Sequence, residues 1–297
     1  MSAAAIVRVG TAGWSYPDWE TIVYPARAPR RMDRLGLLAS LFDVIEINTS
    51  FYRLPEEAQV ASWVRRVRGR PRFRFTVKAW QALTHGAPAP PEVKEPVTTF
   101  AARIRPLLEA ERLGAVLLQF PYRLRPSPEA WDGLEQLAGS LAGLPLVAEF
   151  RRAAWAEPGC LARLRGLGIG FCNIDQPALS GNLPPTAHLT SRLAYVRLHG
   201  RNAENWFRED AGRDARYDYL YSPDELAEWA QRVRAVAAGG AEEIFVIANN
   251  HYRGKAACNA LELKRILEDP RAQAPASLAA AFPRLGLAPP PAQRPLF

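Results

Sequence analysis

Short apolar runs recur along the chain, each five to eight residues long and rich in Val, Ile, Leu and Phe. Such runs, separated by segments with apolar residues at helical spacing, are typical of alternating strands and helices. The eight runs that predict strands cover residues 6–11, 44–48, 72–78, 115–120, 146–150, 170–175, 193–199 and 243–250. The segments that predict helices lie around residues 32–41, 56–68, 95–110, 127–141, 159–166, 223–237 and 255–268.

Two of the predicted helices have clear starts. SPEA at 127–130 and SPDE at 222–225 place Ser at the N-cap, Pro at the first helical position and acidic residues in the first turn. The connection 176–192 is rich in Pro and Gly and predicts an irregular link without a helix. Eight strands alternating with helices favour a single (β/α)8 TIM-like barrel over 1–270, with an open doubly wound sheet as the alternative. The Ala- and Pro-rich residues 271–297 predict a flexible tail.

Polar side chains interrupt seven of the predicted strands near their carboxyl ends. In a barrel, alternate residues point inward and the carboxyl ends of the strands form the mouth where sites are built. Alternation places Glu46 and Asn48 on one face, and Arg74, Thr76 and Lys78 on one face of the next strand. The same reasoning applies to Glu149 with Arg151, Asn173 with Asp175, and Arg197 with His199.

This pattern predicts a polar site at the mouth. The candidate catalytic residues are Glu46, Lys78, Glu149, Asp175 and His199. The candidate substrate-binding residues are Trp14, Asn48, Tyr52, Gln119, Arg151, Arg197, Arg201, Trp206, Asn249, Asn250 and His251. Trp19 and Trp155 are further candidates for stacking walls. The competing interpretation is an ion-pair network that only holds the barrel together.

Composition and charge limit the kinds of partner and the cellular location that we expect. Hydrophobic content of 48% and charged content of 23% are ordinary for a globular protein, and no stretch approaches the length of a membrane span, so no membrane partner is expected. Three widely spaced cysteines without a CxxC motif fit a reduced, cytoplasmic protein. The net charge of +8 favours an anionic partner, such as nucleic acid or a phosphorylated ligand.

Several motifs, in their order and spacing, resemble the YecE-like family, a domain of unknown function (number 72), over about residues 7–268. They are GTAGWSYPDW, VIEINTSFYRLP, FRFTVKAWQALTH, LLQFP, EFR, YVRLHGR, RYDYLYS and NNHYRGKAACNA. The resemblance implies a TIM barrel but no established activity. This chain departs from the family pattern at Tyr122, where a second Pro is usual, and at Arg152 and Ala154, where His and Ser are usual.

The last five residues, QRPLF, resemble the peptide by which bacterial DNA-processing proteins dock on the replication sliding clamp. Gln293, Leu296 and Phe297 match that peptide, whereas Arg294 and Pro295 depart from it. A Gln amide with two apolar side chains at the end of a flexible linker suits docking into a cleft. These three residues therefore predict a clamp contact.

Three chemistries remain open from the sequence. The first is binding or processing of nucleic acid or another phosphate-containing substrate, with a phosphodiesterase- or nuclease-type hydrolase as the enzyme class. In that case the residues that hold phosphate would be Lys78, Arg151, His199, Arg201 and His251. Glu46, Glu149 or Asp175 would act as a general base or bind a divalent metal. No metal ligands are assigned, because the interleaved Arg and Lys repel a cation. The second is glycoside hydrolysis by Glu46 and Glu149. The third is a non-catalytic ligand-binding scaffold.

Overall fold

The computed structural model describes residues 4–26, 32–86, 95–206, 208, 213–270 and 272–286. Eight parallel strands pair in sequence order and close into a barrel, as the pattern predicted. The strands are β1 (Ile6–Ala12), β2 (Val44–Ile47), β3 (Arg74–Lys78), β4 (Leu113–Gln119), β5 (Leu146–Glu149), β6 (Gly170–Asp175), β7 (Leu193–Leu198) and β8 (Glu243–Ala248). The doubly wound alternative is wrong, because β1 pairs with β8 from Ile6–Glu243 to Thr11–Ala248.

Ten helices lie among the described residues. They are α1 (Arg34–Leu41), α2 (Glu57–Arg66), α3 (Gln81–Thr84), α4 (Pro96–Glu109), α5 (Pro128–Ser140), α6 (Pro158–Gly166), α7 (Arg213–Arg216), α8 (Pro223–Ala238), α9 (Lys255–Leu267) and α10 (Ala276–Ala281). Residues 176–192, all described, contain no helix, as expected from their Pro and Gly content. None of these helices is both long enough and apolar enough to span a membrane.

The predicted helix starts are present in α5 and α8. Ser127 accepts a hydrogen bond from the Ala130 amide at the start of α5. Ser222 and Glu225 form a reciprocal capping box at the start of α8, which satisfies two amide groups that would otherwise lack partners. Both caps fix where the helices begin relative to the strands that precede them.

The core lies between the outer faces of the strands and the helices. Fully buried apolar residues such as Ile45, Val77, Ala148 and Val196 alternate along the strands with the inward positions. At Gly10 the inward position has no room for a side chain, because an added Cβ would lie 1.8 Å from the Val44 carbonyl oxygen. The barrel is therefore tightly closed between β1 and β2.

The predicted domain boundary at 270 is too early. Helix α10 and the 3₁₀ turn at Pro283–Gly286 pack against the barrel, and Leu278 and Leu285 are buried. Arg284 Nη2 donates to Glu262 Oε2 at 2.7 Å and to the Tyr221 carbonyl at 2.8 Å, which fixes this segment to α9 and the loop before α8. The barrel domain therefore extends at least to residue 286, and the predicted tail beyond it lies outside the described residues.

Candidate functional site at the barrel mouth

A buried network, here called the charged floor, crosses the lumen near the carboxyl ends of the strands. It consists of Glu46, Glu149, Tyr195 and Arg197. Arg197 Nη2 donates to Glu46 Oε1 at 2.7 Å, and Nη1 donates to Glu149 Oε2 at 2.6 Å. The Tyr195 hydroxyl donates to Glu46 Oε2 at 2.9 Å. One guanidinium on β7 thus joins carboxylates on β2 and β5, two strands that are not neighbours in the sheet.

Within the charged floor, one guanidinium is shared by two carboxylates. Burial acts against the charged guanidinium of Arg197, but Glu149 and Glu46 outweigh it and raise the pKa of Arg197 well above its usual value. Burial would likewise raise the pKa of Glu149, but Arg151 and Arg197 hold it well below its usual range. Both oxygens of Glu46 accept hydrogen bonds. Glu149 is therefore held in its ionised form, and both carboxyl groups of the floor are engaged by hydrogen-bond donors.

Above the floor lies a second set of inward side chains, here called the upper layer: Lys78, Arg151, His199 and Asn249. Arg151 Nη2 lies 2.6 Å from Glu149 Oε1 in a charge contact that is not directed as a hydrogen bond. Asn249 Nδ2 lies 2.9 Å from His199 Nδ1, and His199 Nε2 lies 3.3 Å from Glu149 Oε1. Burial, followed by the charge of Arg151, lowers the pKa of His199 to about 3, so its ring is neutral.

Lys78 differs from the other cations of the mouth. It is 7% exposed, and its Nζ lies 3.7 Å from the centroid of the Phe51 ring. Among the described residues, no carboxylate forms an ion pair with it. Burial, followed by the charge of Arg197, lowers the pKa of Lys78 to about 7. Its amine is therefore partly neutral near neutral pH.

Several buried polar atoms of the mouth make no directed hydrogen bond with any described residue. They are Asn48 Oδ1, Glu149 Oε1, His199 Nε2 and Asn249 Oδ1. They come from the carboxyl ends of β2, β5, β7 and β8. Glu149 Oε1 and His199 Nε2 also contact each other, and Arg151 lies against Glu149 Oε1, so the amide oxygens of Asn48 and Asn249 are the clearest cases. Buried polar groups without hydrogen-bond partners are uncommon in proteins and call for an explanation, such as a bound water, ion or ligand. Their convergence supports a binding site in the upper layer.

An aromatic rim surrounds the upper layer and consists of Tyr16, Trp206, Tyr217 and His251. His251 stacks on Tyr16 with ring centroids 4.5 Å apart and planes within 9°. Tyr217 lies 5.1 Å from His251, and Trp206 lies 6.3 Å from His199. The Arg151 guanidinium is 5.8 Å from the Trp206 ring. The rim provides flat surfaces beside the polar groups, so it can contact the less polar part of a ligand.

Most candidate residues on β2, β3, β5 and β7 lie where alternation predicted. Glu46, Lys78, Glu149, Arg151, Arg197, His199 and Asn249 all lie inside the mouth. Trp206 and His251 lie at the rim. Asn48 follows β2, and Tyr52 is 58% exposed, with its ring against Phe51. Gln119 ends β4 beside Glu149 in the register, and its amide donates to the Phe120 carbonyl at 2.9 Å.

Asp175 and Arg201 do not belong to the mouth. Residues of β6 and β7 that pair in register share a face, and Cys172 pairs with the inward Tyr195. Asn173 and Asp175 therefore point outward. Asp175 accepts from Arg201 Nε at 3.0 Å and from Trp229 Nε1 at 2.8 Å, and Arg201 also binds Glu225. This outward cluster attaches α8 to the barrel wall, so Asp175 has no catalytic position.

Four other candidate residues make packing contacts outside the lumen. Asn250 donates to Asn259 Oδ1 on α9 at 2.8 Å, outside the lumen. Trp14 packs edge-on against Trp63 of α2, with ring centroids 5.2 Å apart. Trp19 and Trp155 are fully buried in the core. None of these side chains is available to stack on a ligand in the lumen.

Sequence reasoning missed two residues that face the lumen, Tyr195 and Cys172. Tyr195 occupies the same strand face as Arg197 and His199, two and four residues before them, so alternation alone identifies it. Its hydroxyl also lies 2.7 Å from Thr76 Oγ1. Cys172 Sγ lies 3.9 Å from Glu149 Oε2, and it was overlooked because the polar residues of β6 were assumed to be the inward ones.

The residues of the mouth do not fit a divalent metal. Arg197 occupies one oxygen of each carboxylate, and Arg151 lies against Glu149 Oε1. Within the described ranges, no three His, Cys, Asp or Glu side chains come together as a metal-binding group. A cation at this position would lie beside two guanidinium groups, which repel it.

Two departures from the family pattern contact each other. The Arg152 guanidinium lies 4.3 Å from the centroid of the Tyr122 ring, and Arg152 Nε donates to the Tyr122 carbonyl at 3.0 Å. They form a cation–π pair after β4 and β5. Arg152 is therefore held beside the loop and not in the upper layer.

Comparison with known proteins agrees with the fold. The family described as "Protein of unknown function DUF72" matches residues 8–284. A crystal structure of a DUF72 family protein from Thermotoga maritima is 36% identical, with a TM-score of 0.75 over 89% of this chain and 99% of that one. A DUF72 family protein from Enterococcus faecalis is 28% identical, with a TM-score of 0.76 over 88% and 95%. The UPF0759 protein YunF of Bacillus subtilis is 28% identical over 89% of this chain and 95% of its own length.

Proposed function

The chain belongs to the DUF72 family, whose function is unknown, and we propose that its barrel mouth binds a small anionic ligand that contains a phosphate group. The observation that carries this proposal is the charge of the buried mouth. Two carboxylates, Glu46 and Glu149, face three cationic side chains: Arg197, Arg151 and Lys78. His199 is neutral and leaves this balance unchanged. An anion would compensate the excess positive charge that appears when Lys78 is protonated.

The depth of these groups favours a small ligand. Lys78 is 7% exposed, and the Arg151 side chain is 12% exposed. A phosphate group that reached them would lose most of its hydration shell and form charge-assisted hydrogen bonds in a site shielded from water. The aromatic rim would then contact the remainder of the molecule. A nucleotide or the end of a nucleic acid strand contains the same phosphate chemistry, whereas the uninterrupted side of a duplex does not reach this depth.

Glycoside hydrolysis lacks support in this geometry. That chemistry needs one protonated carboxyl group as the acid and a second carboxylate as nucleophile or base. Glu46 accepts hydrogen bonds at both oxygens, and the pKa of Glu149 lies well below its usual range. The same guanidinium binds both groups, so neither has the environment of a general acid.

Isothermal titration calorimetry with inorganic phosphate at low ionic strength tests the proposal. The wild-type protein should bind phosphate, and Lys78→Met and Arg151→Gln should each weaken binding at least about tenfold, the equivalent of about 1.4 kcal/mol. The matched control is Lys255→Met, because Lys255 already pairs with Asp218 at the surface. A wild-type protein that does not bind phosphate, or equal affinities in wild type and Lys78→Met, would overturn the proposal.

A single-stranded oligonucleotide separates the polymer from the small ligand. If nucleic acid is the natural partner, the oligonucleotide should bind more tightly than phosphate, and its affinity should fall steeply with added salt because many phosphate contacts release counterions. If the natural ligand is small, inorganic phosphate should displace the oligonucleotide, and the affinity for phosphate should not fall steeply with added salt. If the oligonucleotide binds tightly with a strong salt dependence and Lys78→Met leaves its affinity unchanged, the nucleic acid binds elsewhere on the surface.

A further inference from the structure

Lysine is a rare choice in this chain, and one lysine lies inside the barrel. Only four of the 38 basic residues are lysines, at positions 78, 94, 255 and 264, and the others are arginines. Lys255 pairs with Asp218, and Lys264 pairs with Asp43 at 2.8 Å. Lys78 alone among the described lysines has no ion pair with a described carboxylate. A position that needed only positive charge would be served by arginine, as at 151 and 197.

The property that lysine has and arginine lacks is the ability to lose its proton inside a protein. A guanidinium stays charged, whereas a desolvated lysine becomes a neutral amine, which is a nucleophile. Lys78 lies at the carboxyl end of β3, with its Nζ against the face of the Phe51 ring. The carboxyl end of a barrel strand is where reactive side chains meet a substrate.

The surroundings of Lys78 favour the neutral amine. Arg197 from β7 and Arg151, just after β5, act against its positive charge, and Glu149 and Glu46 act in its favour. His85, at the end of α3, lies against Phe51 and is neutral, since burial and the charge of Lys78 lower its pKa to about 4. Burial is the largest influence on Lys78 itself, and with these charges it gives a pKa of about 7.

We propose that Lys78 forms an imine with the carbonyl group of a small aldehyde or ketone that also carries a phosphate or carboxylate group. This inference rests on the proposed function, because the anionic group would hold the carbonyl carbon beside the amine. Arg151, which reaches the opening beside Trp206, is the cation placed to receive that group. Lys78 then supplies the reactive amine, and Arg151 binds the anionic group of the same molecule.

The reaction balances without a further reagent. The Nζ lone pair forms a C–N bond with the carbonyl carbon, and the C=O π electrons move to the oxygen, which takes up the proton that nitrogen releases. The resulting hydroxyl group takes a second proton from solvent and leaves as water while nitrogen forms the C=N double bond. One amine, one carbonyl compound and one proton thus give one protonated imine and one water, and nothing is oxidised or reduced. The positive charge of the imine is stabilised by Glu149 and Glu46.

Reductive trapping tests the imine directly. The full-length protein is incubated with sodium cyanoborohydride and either dihydroxyacetone phosphate or pyruvate, with acetone as the carbonyl compound without a charge. Intact-mass measurement and peptide mapping then locate the secondary amine. We expect the main lysine adduct at Lys78, formed at least about tenfold faster than at Lys255, because the Lys255 amine is held in an ion pair with Asp218 and is not free to attack a carbonyl group. The two charged probes show whether phosphate or carboxylate is preferred.

Variants and competition make the result specific. Lys78→Arg keeps the positive charge and should still bind inorganic phosphate, but it should give no adduct. Lys255→Arg is the matched control and should be labelled at Lys78 like the wild type. Inorganic phosphate should slow labelling of Lys78 in the wild-type protein and leave Lys255 unaffected, which provides a test even if Lys78→Arg does not fold.

The two proposals fail in different ways. If phosphate binds at the mouth but labelling of Lys78 is absent or no faster than that of Lys255, the imine is wrong and the anion site stands. If Lys78 is labelled selectively but phosphate neither binds nor protects it, the amine is reactive and the anion site is wrong. Labelling that is as fast with acetone as with both charged probes would also overturn the role of the anionic group.

Discussion

Glu149 contacts four polar side chains that build the mouth. Its oxygens lie 2.6 Å from Arg197 Nη1, 2.6 Å from Arg151 Nη2, 3.3 Å from His199 Nε2 and 3.9 Å from Cys172 Sγ. It is fully buried, so solvent does not screen these contacts. Its negative charge holds the guanidinium groups of the floor and the upper layer in place, which makes Glu149 a positioning residue for both.

Glu149→Gln should lower the free energy of unfolding by about 3–5 kcal/mol. The substitution keeps the shape of the side chain but leaves two buried guanidinium groups without their shared carboxylate, and the loss of one partner of a buried pair is costly. Urea unfolding measures the change. Glu135→Gln is the control, since Glu135 pairs with Arg163 at the surface, and its loss should cost less than about 1 kcal/mol. Equal effects of the two substitutions would show that the network contributes little.

The inward faces of β2, β3, β5 and β7 were predictable from alternation, because Glu46, Lys78, Glu149, Arg197 and His199 directly follow apolar residues that point to the other face. The prediction failed at Asp175 and Asn250. Both are polar residues near strand ends, but Asp175 binds Trp229 of α8 and Asn250 binds Asn259 of α9. The polarity of a residue does not show whether it faces the lumen or a strand–helix interface. The contact of Arg197 with Glu46 and Glu149 forms only when the barrel closes, so the sequence pattern does not predict it.

At the scale of elements, the end of α9 is joined to the amino-terminal side of the barrel. Lys264 Nζ lies 2.8 Å from Asp43 Oδ2, just before β2, and Arg72 lies 3.7 Å from Glu268. The carboxyl groups of Glu268 and Asp43 lie close enough to influence each other's proton binding. Burial, followed by the contact with Asp43, raises the pKa of Glu268 to about 8. These two carboxyl groups therefore hold one proton between them in the folded protein.

This shared proton makes stability depend on pH with a definite sign. Between the ordinary pKa of Glu and a value of about 8, the folded protein retains a proton that the unfolded chain has released. Stability from this pair therefore falls as the pH rises through that window. The wild-type protein should lose more free energy of unfolding than Glu268→Gln between about pH 5.5 and about pH 8.5 in urea titrations. Glu228→Gln, at an exposed pair with Arg232, should behave like the wild type. Parallel pH profiles for wild type and Glu268→Gln would contradict the shared proton.

At the scale of the whole molecule, the carboxyl-terminal segment completes the barrel's outer layer. Leu278 and Leu285 bury apolar surface, and Arg284 binds Glu262 on α9. The Ala- and Pro-rich composition predicted a flexible tail here because it lacks a strong helical pattern. Packing of Leu278, Leu285 and Phe282, together with hydrogen bonds from Arg265 and Arg284, holds residues 276–286 against the barrel, and such isolated contacts are not visible in a sequence pattern.

Two truncations should separate the packed segment from the residues that follow it. Removal of everything after 270 should lower the free energy of unfolding by at least about 3 kcal/mol, because burial of each Leu contributes about 1.5–3 kcal/mol. Removal of everything after 286 should change it by less than about 0.5 kcal/mol. Urea unfolding of the two proteins beside the full chain measures both. Similar stabilities for the two truncated proteins would show that α10 adds nothing to the domain.

The contact of Gln293, Leu296 and Phe297 with a sliding clamp stays a prediction, since these residues lie outside the described part of the chain. The truncation after 286 also removes them, so the same protein is suitable for a clamp-binding measurement. If the truncated protein bound the clamp as tightly as the full chain, QRPLF would not be the clamp-binding peptide. Its phosphate binding should be unchanged, because the mouth is built from strands β2 to β8.

The contact of Arg197 with both Glu46 and Glu149 has an evolutionary consequence. Arg197 compensates both carboxylates, so a single exchange at Arg197 or at Glu149 leaves a buried charge without its partner. Descendants of this barrel that acquire a new substrate would therefore change the upper layer and the aromatic rim first. We expect sequence changes to accumulate more slowly in the floor than in the rim, where specificity has room to change.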